Sequence, residues 1–212
     1  MSKPDIFMGL VPAFARQSLV LYGDEISLSD YDDAVRVAKQ KYRYCLSRKK
    51  VKHQPEKIHH HADEYCSFLV FLAREAYISG YHDLARAAYL VNRRLHSFDC
   101  FYTREMPEIF HLEHPVGTVL GQATFGNYLV VYQGVSVGGD LKLRYPTLGE
   151  GVALLANSSV IGGATIGSNS AIGAGVMIYG KSIPDGSAIS FRGTSGYISS
   201  SMSWTVKERF FN

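Results

Sequence analysis

The stretch "LGEGVALLANSSVIGGATIGSNSAIGAGVMIYG", Leu148 to Gly180, returns an aliphatic residue at every sixth position: Leu148, Leu154, Val160, Ile166, Ile172 and Ile178. A helix repeats its apolar face about every 3.6 residues and a strand every second one. An ordinary antiparallel β domain with glycine-rich turns would alternate with period two, and this stretch does not. Four residues after each anchor stands a small or β-branched side chain: Val152, Ser158, Ala164, Ser170 and Val176. A hexapeptide that makes one short strand and one tight turn accounts for both rows. Three such units close a triangular coil, and stacked coils bury the anchors in a ladder along the prism axis. Gly167, Gly173 and Gly175 are expected to supply turn conformations denied to other residues. Upstream, Phe125, Val131 and Val137 keep the same step, and "GGDLKLRYPT" (138–147) interrupts it. Nine anchors correspond to about three coils.

The first half reads differently. Ser29 with Asp32 forms a candidate capping box. It opens "DYDDAVRVAKQKYRYCL", which sets Val35, Ala38, Tyr42 and Cys45 on one helix face. Pro55 suits the first turn of a second helix through "EYCSFLVFLAREAYIS", with Gly80 as its stop. A third helix, "YHDLARAAYLVNRRLHSF", carries Leu84, Ala88, Val91 and Leu95 as its apolar stripe. The predicted organisation is a helical region over 1–105, a β-helix domain over 106–193 and a C-terminal tail over 194–212.

Composition narrows the function classes. The 212 residues carry a net charge of only +3, and no basic tract alternates with aromatics as a nucleic-acid groove requires. No apolar run approaches the roughly 20 residues of a membrane span. The N-terminal apolar patch contains Asp5 and Arg16, and no clear cleavage site follows it. Cys45, Cys66 and Cys100 are odd in number and widely spaced, which suggests reduced thiols and a cytoplasmic location. "IHHH" (58–61) reads as a solvated helix start, because adjacent histidines on a helix point in different directions.

From about Leu84 to Gly193 the chain resembles the serine acetyltransferases, a family of left-handed hexapeptide β-helices. "VYQGVSVGG" (131–139) is similar to that family's rung before its active-site loop, and "RYPTLGEGV" (144–152) to its Arg-His-Pro segment. "AIGAGVMI" (171–178) is similar to its terminal coenzyme-A rungs, and "EHPVGTVLG" (113–121) to the segment holding its catalytic histidine. The resemblance implies a helical region followed by a trimeric left-handed parallel β-helix, acting on acetyl-CoA without a metal. It implies His114 as catalytic base, Asp99 as the carboxylate orienting it, and an acidic Glu113 beside it. It sets Arg144 and Tyr145 at the acceptor, and the backbone of Ala156 and Ala174 at the coenzyme. It further implies a shortened counterpart of the helical half that joins trimers into hexamers.

Three departures bear on chemistry. Tyr145 replaces the histidine of Arg-His-Pro, the loop before it is shorter, and "SFRGTSG" (190–196) replaces the family's Gly-Val-Pro-Ala signature. Attack of a hydroxyl on a thioester needs a base near neutrality, a donor for the developing oxyanion, and both substrates held in line. His114 suits the first role, with Asp99 or Glu113 fixing its tautomer. Backbone N–H groups at Gly138 and Gly139 could serve the second, or the two glycines could simply make the turn. A neutral Tyr145 phenol holds a carboxylate less firmly than a cationic imidazole. The expectation is therefore an acetyl-CoA-dependent O-acetyltransferase with a saccharide acceptor, L-serine being the alternative. A non-catalytic β-helix scaffold is the rival of another class. A homotrimer, or a dimer of trimers, is the expected assembly.

Overall fold

The computed structural model describes residues 5–50, 56–191 and 196–212. Pro55 and part of "SFRGTSG", residues 192–195, lie outside them. Four helices come first: α1 (Leu10–Leu21), α2 (Asp32–Arg48), α3 (Ala62–Ile78) and α4 (His82–His96). The N-terminal apolar patch is α1, which buries Leu10, Phe14, Ala15 and Ser18. Val35, Ala38, Tyr42 and Cys45 of α2 are all buried, as their spacing predicts. Ser29 does not cap α2. It sits inside a 3-10 turn over Leu28–Tyr31, and its hydroxyl meets Ser27 Oγ at 2.6 Å. In α4, Leu84, Ala88 and Val91 are buried, but Leu95 is exposed; the last turn meets α3 through His96 instead, whose ring packs edge-on against Tyr65 at 5.8 Å.

Thirteen short strands follow as a coil: β1 (Phe110–Leu112), β2 (Val119–Leu120), β3 (Thr124–Phe125), β4 (Leu129–Val131) and β5 (Ser136–Gly138). Next come β6 (Thr147–Leu148), β7 (Ala153–Leu154), β8 (Ser159–Ile161) and β9 (Thr165–Ile166). The coil ends with β10 (Ala171–Ile172), β11 (Met177–Tyr179), β12 (Ser182–Ile183) and β13 (Ser187–Phe191). Strands three apart pair in parallel and build three faces, β1-β4-β7-β10-β13, β2-β5-β8-β11 and β3-β6-β9-β12. This is a left-handed parallel β-helix. The anchors stack in register across coils: Val131 on Leu154 on Ile172, Val137 on Val160 on Ile178, and Leu148 on Ile166. The residues four on from them, Val152 to Val176, are all buried.

Two expectations are corrected. The coils number four rather than three, because β1 and β2 precede the nine anchor strands and β12 and β13 follow them. The glycines divide into two kinds. Gly175 takes a left-handed corner, φ 70°, as do Asn157 and Asn169 at φ 59° and 52°. Gly167 and Gly173 do not. They are small because neighbouring coils approach too closely: a Cβ at Gly173 would lie 2.6 Å from the Ile189 carbonyl oxygen.

The last residues return along the prism. β14 (Tyr197–Ser201) pairs antiparallel with β13, and α5 (Val206–Phe210) reaches back to the helical half. Thr205 and Glu208 cap α5 reciprocally, and Val206 N–H donates to Asn169 Oδ1. Phe211 is buried, Lys50 N–H donates to the Phe210 carbonyl, and Asn212 N–H donates to that of Arg48. One apolar core runs from α1 through the helices into the prism. Among the described residues no helix is long and apolar enough to cross a membrane.

Candidate active site

The first coil departs from the others at one corner. Leu112 pairs with Val131 and Val119 with Ser136, so the first coil spends two more residues there than the second. The backbone bonds locate the extra pair. Gly134 N–H donates to Val116, Asn157 N–H to Gln133, and Gly175 N–H to Ala156, each at 2.9 Å. Val116, Gln133, Ala156 and Ala174 therefore form one vertical column, and His114 and Pro115 are extruded from its top. With coils about 4.8 Å apart, Ala174 lies roughly 14 Å below the coil that carries His114.

His114 adopts a left-handed conformation, φ 50°, uncommon for a residue other than glycine. Asp63, in the first turn of α3, stabilises it by accepting the His114 backbone N–H at 3.1 Å. The same carboxylate oxygen lies 3.5 Å from His114 Nδ1, while Glu113 lies 3.7 Å from Nε2. The imidazole itself is 74% exposed. Glu113 is fixed from the other side, accepting a hydrogen bond from His111 Nε2 at 2.6 Å. Burial, and the nearby Lys49 ammonium, push His111 below the ordinary histidine range. A neutral ring donating from Nε2 leaves Nδ1 as an acceptor, and that atom is buried without a partner.

These residues line a cavity of about 470 Å³ together with His61, Tyr132, Arg209 and Phe210. Beneath it lies a buried ion pair. Lys49 Nζ meets Glu64 Oε2 at 2.9 Å, and Tyr42 Oη donates to the same oxygen at 2.9 Å. Burial raises the Glu64 pKa, but Lys49 and the two hydrogen bonds outweigh it and hold the carboxyl below its usual range. A second cavity, about 510 Å³, continues down the column past Ala156 and Ala174 and shares Tyr132, Arg209 and Phe210 with the first.

Asp99 is engaged elsewhere. Its carboxylate accepts from Tyr89 Oη at 3.0 Å and faces Arg93 at 3.4 Å. Asp63 stands where Asp99 was expected. Arg144, Tyr145, Gly138 and Gly139 sit at a different corner of the prism, on the loop that adds five residues between β5 and β6 relative to β8 and β9. There Arg144 grips Asp140 through Nε at 2.8 Å and Nη2 at 2.5 Å. Gly139 is small because the Tyr145 ring lies against it. Of the expected site residues, the fold brings His114 and Glu113 into one cavity and Ala156 and Ala174 into the adjoining one.

Asp63, His61, His111, Tyr132, Arg209 and Phe210 were not read from the sequence. An acid in the first turn of a helix is the commonest of signals, and nothing in the spacing ties α3 or α5 to the corner. The 58–61 histidines do not act together: His59 packs on Gly9, and only His61 lines the cavity. Among the described residues no three His, Cys, Asp or Glu side chains are arranged to hold a metal ion.

Residues 145–180 match the family described as bacterial transferase hexapeptide (six repeats). The serine acetyltransferase of Bacillus subtilis is 30% identical over 122 residues, 56% of this chain and 56% of that protein. The hexapeptide-repeat part of the chain is thus similar to that of the serine acetyltransferases. The serine acetyltransferase of Synechococcus elongatus is 41% identical over 71 residues, 32% of this chain and 29% of that protein. The solved serine acetyltransferase of Neisseria gonorrhoeae superposes with a TM-score of 0.70 at 20% identity, covering 93% of this chain and 80% of that one. The Brucella abortus enzyme in complex with coenzyme A gives 0.64 at 17% identity, over 91% and 82%. These two likenesses carry the fold. The chain spans about half the length of the B. subtilis relative. Both curated relatives are serine acetyltransferases, which favours the L-serine alternative over the saccharide acceptor inferred from Tyr145.

Proposed function

We propose that this protein transfers the acetyl group of acetyl-CoA to the hydroxyl of L-serine, with His114 as general base. One observation carries the reading: an exposed imidazole, backed by a carboxylate, crowns a column about 14 Å deep whose lower members, Ala156 and Ala174, leave a cavity for an extended pantetheine arm. The serine acetyltransferase relatives supply the acceptor.

His114 takes the proton from the serine hydroxyl as its oxygen attacks the thioester carbonyl. The tetrahedral intermediate collapses, the C–S bond breaks, and the imidazolium returns the proton to the departing thiolate. Base catalysis of this kind contributes ~10²–10⁴ in rate. Asp63 fixes the backbone of the base and stabilises its protonated ring, the role first given to Asp99. Asp63 and Glu113 offer negative charge to the serine ammonium.

The Gly138–Tyr145 loop leaves from a corner other than that of His114, so within one prism the two do not meet. A threefold ring of prisms would bring one copy's loop to its neighbour's base, and we take the working form to be such a homotrimer in the cytoplasm. There the backbone N–H groups at Gly138 and Gly139 would stabilise the oxyanion.

The test is thiol release from acetyl-CoA with L-serine, set against a panel of sugars, for the wild type and H114N. Serine-dependent release that H114N lowers at least ~10²-fold is the expected result.

A further inference from the structure

Three cations line the His114 cavity, and two are committed. Lys49 pairs with buried Glu64, and Lys50 Nζ donates to the Glu208 carbonyl at 2.5 Å. The third, Arg209, has no carboxylate partner among the described residues. Its guanidinium lies over the Trp204 ring, 5.0 Å from the centroid, and within 6.0 Å of that of Phe210. Arg209 stands at the junction of the two cavities, where an arm descending past Ala156 and Ala174 would bring its thioester to His114. α5 is not a loose tail at this point. Its capping box, the Val206 bond to Asn169 and the buried Phe211 hold it between prism and helices.

The residues that resemblance assigns to the acceptor carboxylate are poorly placed for it. Arg144 is doubly bonded to Asp140, whose side chain is 2% exposed, and Tyr145 is neutral. We propose that Arg209 binds the carboxylate of the acceptor, a hydroxyl-bearing α-amino acid. The assignment rests on the serine reading and deepens it. The cavity then meets such a molecule at three points: His114 at the hydroxyl, Asp63 and Glu113 at the ammonium, and the Arg209 fork at the carboxylate. With two carboxylates and one guanidinium in the same lining, the cavity distinguishes the two ends of the zwitterion.

The experiment compares L-serine with L-serinamide, which keeps the hydroxyl and ammonium and lacks the carboxylate, in the wild type, R209Q and R209K. Wild type prefers serine. R209Q raises KM for serine roughly ten- to hundredfold, leaves KM for serinamide and CoA affinity by calorimetry unchanged, and so abolishes the preference. R209K, which keeps charge without the fork, falls between, and melting curves confirm that both variants fold. An unchanged serine-to-serinamide ratio in R209Q overturns the assignment alone, as does weakened CoA binding with serine KM intact. A wild type that acetylates no serine overturns the serine reading and this assignment together.

Discussion

The Asp63 carboxylate accepts the backbone N–H of His114 at 3.1 Å and lies 3.5 Å from its Nδ1. A helix end thereby reaches across to the corner of the β-helix from which His114 and Pro115 are extruded. It holds the main chain of His114 and faces its ring with the same oxygen.

That relationship predicts how two carboxylates differ. D63N should lower kcat at least ~10-fold, since it removes the charge facing the imidazolium. D99N should leave kcat nearly intact and act on stability instead, through Tyr89 and Arg93. Steady-state rates and denaturation midpoints on the two variants separate these effects.

The buried Lys49–Glu64 pair beneath the cavity predicts a second contrast. K49M leaves the Glu64 charge without its partner at a site where the side chains are 1% and 4% exposed. It should cost about 3–5 kcal/mol in urea unfolding, and K49M/E64L should recover much of that loss.

Packing between coils predicts a third. G173A drives a Cβ to 2.6 Å from the Ile189 oxygen and should destabilise the prism by ~1–3 kcal/mol. G175N should cost little, because Asn157 and Asn169 already occupy equivalent left-handed corners and no atom lies within 4 Å of the new Cβ. Chemical denaturation of the pair distinguishes close approach from turn conformation.

Acid stability is the fourth. Burial pushes His96 down from 6.5 to about 4. The folded state then binds fewer protons than the unfolded chain between those values, so stability is fully present above pH 6.5 and falls as pH drops toward 4. The loss attributable to His96 is at most ~3 kcal/mol. H96Q should flatten this slope in unfolding midpoints measured across the window, leaving the contributions of His59 and His111, which burial also lowers.

The prism was legible because its anchors recur locally: each hexapeptide carries its own inward residue, and stacking only repeats it. His114 was legible through the motif around it. Its carboxylate was not, because the partner comes from a helix 51 residues upstream and is set by tertiary packing. The roles of Gly167 and Gly173 escaped for a related reason. A glycine required by a neighbouring coil looks, in one dimension, like a glycine required by a turn. The tail hid α5, although Thr205 and Glu208 spell a capping box, because the element is short and its purpose lies in what Arg209 and Phe210 approach.

The most direct test of the account is mass-spectrometric identification of the product formed from acetyl-CoA and a mixture of L-serine and sugars. The account predicts O-acetylserine from the wild type, and its near-complete loss in H114N with assembly and melting temperature unchanged. An acetylated sugar without acetylserine, or undiminished acetylserine from H114N, would contradict it.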